Sequence, residues 1–215
     1  MNTLDLENIS KTIRDKVILK KITLHLESGN IYGFVGRNGS GKTMLFRMIS
    51  GLIKPTEGMV KYNSNILGKD IDVIPRLGLI IENVGLYPEF TGTKNLKMLA
   101  RINRIISDQE ISDAITRVGL DPNDKRPIRK YSLGMKQRIV IAQAIMEKPD
   151  VLILDEPTNA IDENGVEQIR QIIREEKERG ALILIASHSS EDIHSLCDMT
   201  YYMNAGECRL AEEEM

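Results

Sequence analysis

Apolar residues along this chain fall into two kinds of run. Val151-Leu152-Ile153-Leu154 and Leu182-Ile183-Leu184-Ile185 are short and apolar at every position. Runs apolar on both alternating faces suit central parallel strands covered by helices on each side. Ile31-Tyr32-Gly33-Phe34-Val35 reads as a further buried strand. Other stretches have helical spacing. Lys42 to Ile49 contains neither Gly nor Pro and is closed by Gly51. Thr93 to Ile106 places apolar residues at Leu96, Leu99, Ala100 and Ile102. Ser107 and Glu110 have the spacing of a capping box. Ser132 is placed to cap a helix with Met135, Ile139, Ala142, Ile145 and Met146 along one face. Asp162 to Lys177 is the expected crossover helix between the two fully apolar strands.

The N-terminal quarter is different. Leu4 to Ile9, Val17 to Leu19 and Ile22 to Leu26 read as three short strands of a small antiparallel sheet. Pro55-Thr56-Glu57-Gly58 is a turn signal, and Met59 to Tyr62 the strand after it. Leu77 to Ile81 is one more apolar run, ending at Glu82. The predicted fold class is α/β: a core with a parallel sheet, a small N-terminal antiparallel β subdomain, and a helical subdomain inserted at about residues 85–146. All 215 residues are read as one domain.

Chemistry enters at Gly36-Arg37-Asn38-Gly39-Ser40-Gly41-Lys42-Thr43, which matches the phosphate-binding pattern G-x-x-x-x-G-K-[ST] completely. A predicted strand precedes it and a predicted helix follows. That arrangement aims backbone N–H groups and a helix N-terminus at an anion. Lys42 would reach the β- and γ-phosphates of a nucleoside triphosphate, Thr43 would hold magnesium, and Met44 continues the nucleotide-binding set. The strand Val151–Leu154 delivers Asp155 and Glu156 to its carboxyl end, where open α/β sheets bind ligands. Asp155 suits the magnesium, and Glu156 suits polarising an attacking water.

Composition narrows the partners. Net charge is −2, so no basic field argues for nucleic acid. No apolar run approaches the roughly 18 to 20 residues needed to span a bilayer. Met1 to Asp5 lacks the pattern of a signal peptide, so the expected location is cytoplasmic. Cys197 and Cys208 have neither metal-binding nor redox spacing and read as reduced and structural. His25 falls on the polar side of an alternating run, and His194 in a polar helical stretch.

Tyr131-Ser132-Leu133-Gly134-Met135-Lys136-Gln137-Arg138 is similar to the signature of ATP-binding cassette (ABC) ATPases, usually written LSGGQ. The family's other elements are present in the family's order. Asp155-Glu156-Pro157-Thr158-Asn159 resembles the Walker B end, Ala160-Ile161-Asp162 the D-loop, and His188 the switch histidine. Glu82 stands where the Q-loop glutamine is expected. The resemblance implies ATP and Mg2+ as ligands and Glu156 as general base with His188 beside it. It also implies an ATP-dependent head-to-tail dimer in which Ser132, Leu133, Gly134 and Met135 contact the partner's nucleotide. Integral membrane permease subunits on other chains would hold the dimer at the cytoplasmic face of the membrane.

Three departures from the family pattern involve four positions. The signature carries Leu133 for a glycine and Met135 for glutamine. Glu82 replaces the glutamine and would serve as a third oxygen ligand to magnesium, beside Thr43 and Asp155. The adenine-stacking aromatic is replaced by Ile13, so the base would rest on Ile13 and Val17 by apolar contact. Glu82 with this signature resembles the subgroup that exports or expels antimicrobial peptides, as in bacitracin and lantibiotic self-protection. Two rivals stand beside the transporter reading: a soluble ABC ATPase without a permease, as in cluster assembly, and an ATP-gated clamp with little turnover. Co-purification from membranes separates the first, and a steady-state ATPase assay the second.

Overall fold

A computed structural model describes residues 1–81 and 85–211. Glu82, the expected Q-loop ligand, and the acidic run Glu212–Glu214 lie outside the described residues. The chain opens with a hairpin of β1 (Thr3–Ile13) and β2 (Lys16–Glu27), turned at Arg14 and Asp15, both at positive φ. β3 (Ile31–Val35) leads into α1 (Lys42–Ile49). β4 (Glu57–Tyr62), β5 (Asn65–Ile66) and β6 (Leu77–Ile80) follow. Three helices come next: α2 (Gly92–Asn103), α3 (Asp108–Arg117) and α4 (Leu133–Ile145). The chain then alternates through β7 (Val151–Asp155), α5 (Glu163–Glu178), β8 (Leu182–Ala186) and α6 (Ser190–Leu196), and ends in the hairpin β9 (Met199–Asn204) and β10 (Glu207–Leu210).

Among the described residues these strands form two sheets. One is antiparallel, in the order β2-β1-β4-β5. The other runs β10-β9-β3-β8-β7-β6 and is parallel except for its β10 edge. The alternation of side chains along a strand divides the central residues between two cores. Leu152, Leu154, Ile183 and Ile185 pack into a core with Leu96, Ile115, Ile139 and Ile169 from the helices. Val151, Ile153, Leu182 and Leu184 pack on the opposite face with Phe46 of α1 and Leu4, Leu6 and Leu24 of the antiparallel sheet. Phe34 anchors that second core, edge-on to Phe46 and stacked on Tyr201, each at 5.4 Å between ring centroids.

The two strands expected over Val17–Leu19 and Ile22–Leu26 are one continuous β2. Its buried positions change parity between Leu19 and Ile22, and Lys21 sits there at φ 44. β1 changes parity too, between Leu6 and Ile9, around Asn8 at φ 49. A one-residue slip would turn every later apolar side chain outward. The paired irregularities keep Leu4, Leu6, Ile9, Leu19, Ile22 and Leu24 inward.

The helix expected to reach Ile106 stops at Asn103. Arg104 takes a left-handed conformation and returns its N–H to the Ala100 carbonyl. Ile102 is 76% exposed, because it lies off the helix face that Leu96 and Ala100 bury. The Ser107–Glu110 capping box forms with both of its reciprocal hydrogen bonds. His25 is exposed and hydrogen-bonds Asp5 and Glu27, which raise its pKa. Burial pushes the Cys197 and Cys208 thiols up to about 12, so both are inert at neutral pH.

α4 lies directly on the sheet. A Cβ at Gly78 of β6 would collide with the Ala144 carbonyl and come within 2.8 Å of Leu152. Glycine here is the condition for that close approach. Gly78→Ala should therefore lower the free energy of unfolding by about 1–3 kcal/mol, the usual cost of overpacking. Urea titration should show the loss as a lower midpoint with an unchanged slope. An unchanged midpoint would mean that α4 does not need this approach.

Candidate active site

The site forms where β3, β7 and β8 end side by side. After Val35 the loop curls through Gly39 at φ 79 and Gly41 at φ 113, conformations that glycine adopts without strain. α1 then begins with no side-chain cap, which leaves the amides of its first turn available to an anion. Lys42 folds back into the loop and donates to the carbonyls of Gly36 at 2.6 Å and Arg37 at 3.4 Å. A Cβ at Gly36 would lie 2.8 Å from Ser40 Oγ and would collide with the Met203 carbonyl, so the loop cannot seat there with any other residue.

β7 brings its two carboxylates to different partners. Asp155 Oδ2 accepts from Thr43 Oγ1 at 2.8 Å, joining the strand end to the first turn of α1. Glu156 leaves the strand with φ 53, a left-handed conformation uncommon for a residue with a Cβ. Its N–H donates to the Ala186 carbonyl of β8 at 2.8 Å. Its Oε1 lies 2.5 Å from His188 Nδ1, just past the end of β8. A carboxylate only accepts, so Nδ1 carries the proton of this bond. His188 is otherwise open, with its side chain 72% exposed.

These groups surround a cavity of about 790 Å³. Gly39, Gly41, Lys42, Thr43 and Met44 form its floor, with Asn38 at the loop; Asp155, Glu156 and His188 form one wall. Residues without an assigned role in the motif reading complete it. Gln137 of α4 reaches in and donates to the carbonyls of Glu156 and Pro157 at 3.4 and 3.1 Å. Asn159 and Ile80 contribute further wall. Lys16 and Ile18 close the side formed by β2. Ile13 and Val17 do not line the cavity and are 41% and 49% exposed. Ile18, not Val17, lines the cavity. Val17-Ile18-Leu19 alone gives no sign of which residue turns inward.

The signature lies elsewhere. Ser132 caps α4, its Oγ accepting from the Met135 N–H at 3.1 Å. Leu133 is 71% exposed, and Gly134 packs against the Ala160 carbonyl. None of Ser132, Leu133, Gly134 or Met135 lines the chain's own cavity. Asp162 is also outside it, and its Oδ1 accepts from Arg138 of α4 at 2.9 Å.

Thr43 and Asp155 together present a hydroxyl and a carboxylate oxygen at one point of the cavity. Magnesium prefers oxygen donors and keeps several positions for water and substrate phosphates. The donor set fits such an ion.

The profile of the family described as ABC transporter matches residues 19–159. The chain belongs to the ABC transporter family. As an ABC ATPase it binds ATP with magnesium and hydrolyses the nucleotide. It is 52% identical over 206 residues to the uncharacterized ABC transporter ATP-binding protein YybJ of Bacillus subtilis (strain 168), covering 96% of this chain and 94% of that protein. Similarity to the bacitracin transport ATP-binding protein BcrA of Enterococcus faecalis is 38% over 212 residues, with 98% and 68% covered. The lantibiotic transport ATP-binding protein SrtF of Streptococcus pyogenes is 32% identical over 210 residues, with 98% and 90% covered. Among solved structures, the dimeric post-hydrolysis state of the ATP-binding cassette MJ0796, bound to ADP and Pi, superposes with a TM-score of 0.87 at 22% identity over 99% of each chain. That likeness establishes the ABC cassette fold. Among the described residues no helix is long and apolar enough to cross a membrane.

The wall composition of this ABC ATPase yields a test of the cavity side lined by Ile18. Ile18→Ala should weaken ATP binding about fivefold, the equivalent of about 1 kcal/mol of apolar contact. Ile13→Ala should leave the affinity within about twofold. Titration with a fluorescent ATP analogue compares the two, and equal losses would return Ile13 to the site.

Proposed function

We propose that this chain powers the export or expulsion of antimicrobial peptides through permease subunits on other chains, at the cytoplasmic face of a membrane. The observation that carries the catalytic half of this reading is the direct Glu156–His188 contact beside Lys42, Thr43 and Asp155. An ATP-gated clamp with little turnover has no need of a carboxylate and an imidazole held together at the phosphate end of the cavity. Support for the cargo class comes from the relatives named for bacitracin and lantibiotic transport. Glu82 with the Leu133- and Met135-containing signature agrees with it.

The residues divide the work as follows. Loop amides and Lys42 bind the β- and γ-phosphates; the carbonyl contacts of Lys42 give way to phosphate oxygens. Thr43, Asp155 and Glu82 would hold magnesium, which neutralises charge on the phosphate oxygens when bound. His188 occupies Oε1 of Glu156 and leaves Oε2 for a water. Glu156 takes a proton from that water as its oxygen bonds to the γ-phosphorus. The bond from the γ-phosphorus to the bridging oxygen breaks, giving ADP and phosphate.

The exposure of Ser132 and Leu133, away from their own cavity, supports the head-to-tail dimer. Ser132 Oγ accepts from the helix, and its O–H remains a donor for a phosphate oxygen of the partner's nucleotide. ATP then acts as the joint between two copies, broken at each hydrolysis.

Glu156→Gln should lower turnover by about 10²- to 10⁴-fold while ATP binding persists. Size-exclusion chromatography should then show a dimer that accumulates only with ATP. Near-normal hydrolysis by this variant would remove Glu156 from the role. The cargo is tested in the native host. Loss of the gene should lower the inhibitory concentration of bacitracin or a lantibiotic several-fold, with rescue by the wild-type gene and not by the Glu156→Gln gene. Unchanged sensitivity to both compounds would overturn the peptide cargo.

A further inference from the structure

Asp192 is 1% exposed, lies outside the cavity wall, and touches both loops that carry the reacting pair. Its Oδ1 accepts from Nε and Nη2 of Arg170 on α5, at 2.9 and 2.7 Å. Its Oδ2 accepts from Thr158 Oγ1 at 2.5 Å and from Ser187 Oγ at 3.4 Å. Its N–H donates to Ser189 Oγ at 3.3 Å, and the Ser189 N–H donates to Ser187 Oγ at 3.1 Å. Thr158 follows Glu156 by two positions in a tight turn closed by the Asn159 N–H on the Glu156 carbonyl at 3.3 Å. Ser187 and Ser189 flank His188 in sequence. One carboxylate therefore grips the turn of the acid on one oxygen and, through the same oxygen and its own amide, both neighbours of the imidazole.

Neither loop holds its reacting group unaided. Glu156 sits in a left-handed conformation, and the His188 side chain is mostly in solvent. A buried ion pair contributes little to stability on balance, whereas Asp192 bonds Thr158, Ser187 and Ser189 at once. We propose that Asp192 is a positioning residue for ATP hydrolysis: through Thr158, Ser187 and Ser189 it sets the separation of Glu156 and His188. This rests on the reading of Glu156 as the general base. Arg170 completes the device from behind. Its remaining Nη1 is held by Glu191 at 2.7 Å and lies 3.6 Å from Glu167 of α5, so the guanidinium is held on each nitrogen and keeps Asp192 in place.

Removing Asp192 itself would leave the Arg170 charge buried beside an empty position, with a severe folding cost. The test therefore goes through Thr158, whose replacement by valine keeps the shape and deletes one hydrogen bond. Thr158→Val should lower kcat about tenfold, because small misplacements of reacting groups cost rate steeply. KM and the ATP dissociation constant should stay within about twofold, and Thr158→Ser should restore kcat to within about twofold. A residue that acts only through the pair loses its influence when the pair is broken. In a His188→Ala background, followed by single-turnover hydrolysis, adding Thr158→Val should cost less than about twofold.

An unchanged kcat in Thr158→Val, or the same tenfold loss in both backgrounds, would overturn the positioning role. Glu156→Gln in the same assay separates the two readings. If it abolishes turnover while Thr158→Val behaves as wild type, only the positioning role falls. If it hydrolyses normally, both fall.

Discussion

The pairing of β7 with β8 is the constraint on which this molecule depends. Their parallel register sets Asp155 opposite Ala186, and the next hydrogen bond, from the Glu156 N–H to the Ala186 carbonyl, extends the ladder one residue past the end of β7. Two chain segments separated by a whole helix thus leave the sheet at the same level. Each carries one member of the Glu156–His188 pair just beyond that level. The 2.5 Å contact of Glu156 with His188 follows from this shared exit rather than from any local sequence signal. It also accounts for the left-handed Glu156: the backbone must turn at once to keep its amide on β8 while sending the side chain into the cavity. Such a conformation costs of order 1–3 kcal/mol and persists only where the surroundings over-determine it.

What over-determines it is burial on both faces of the sheet. Ile153 and Leu184 pack toward α1 and the antiparallel sheet, Leu154 and Ile185 toward the helices. Neither strand can slide without turning apolar side chains away from a core. The same two cores seat the other parts of the site. α1 is held by Leu45, Phe46 and Ile49, so its uncapped first turn is presented at a fixed height beside Asp155. α4 is held by its contact with Gly78, so Gln137 reaches the carbonyls behind Glu156 from a rigid base.

The charges are arranged to match an anionic ligand with a metal. Lys42 and Lys16 bring positive charge to the loop side of the cavity, and Asp155 and Glu156 bring negative charge to the strand side. The arrangement is mutually supporting only while each group has a partner. Lys42 rests on loop carbonyls, Asp155 on the Thr43 hydroxyl, and Glu156 on His188. In the proposed function, ATP and magnesium would replace the first two sets of contacts with charge-assisted ones.

The sequence by itself determined the buried central strands β3, β7 and β8, the phosphate loop, the carboxylate pair and the order of the motifs. Each of these is written locally: an unbroken apolar run has one stable environment, and Gly36 to Thr43 has one backbone solution. Ser107 and Ser132 cap their helices as their spacing implied, because a cap is satisfied within four residues. The structure decided what depends on contacts between distant segments. Val17 and Ile18 are both apolar, and only the folded arrangement places Ile18 on the cavity while Val17 and Ile13 stay outside it. Gln137 and Asp192 carry no signal in their own neighbourhoods, since their partners come from the turn after β7, α5 and the loop after β8. Local patterns state which element a residue belongs to; which neighbour it meets is settled only when the sheet brings the elements together.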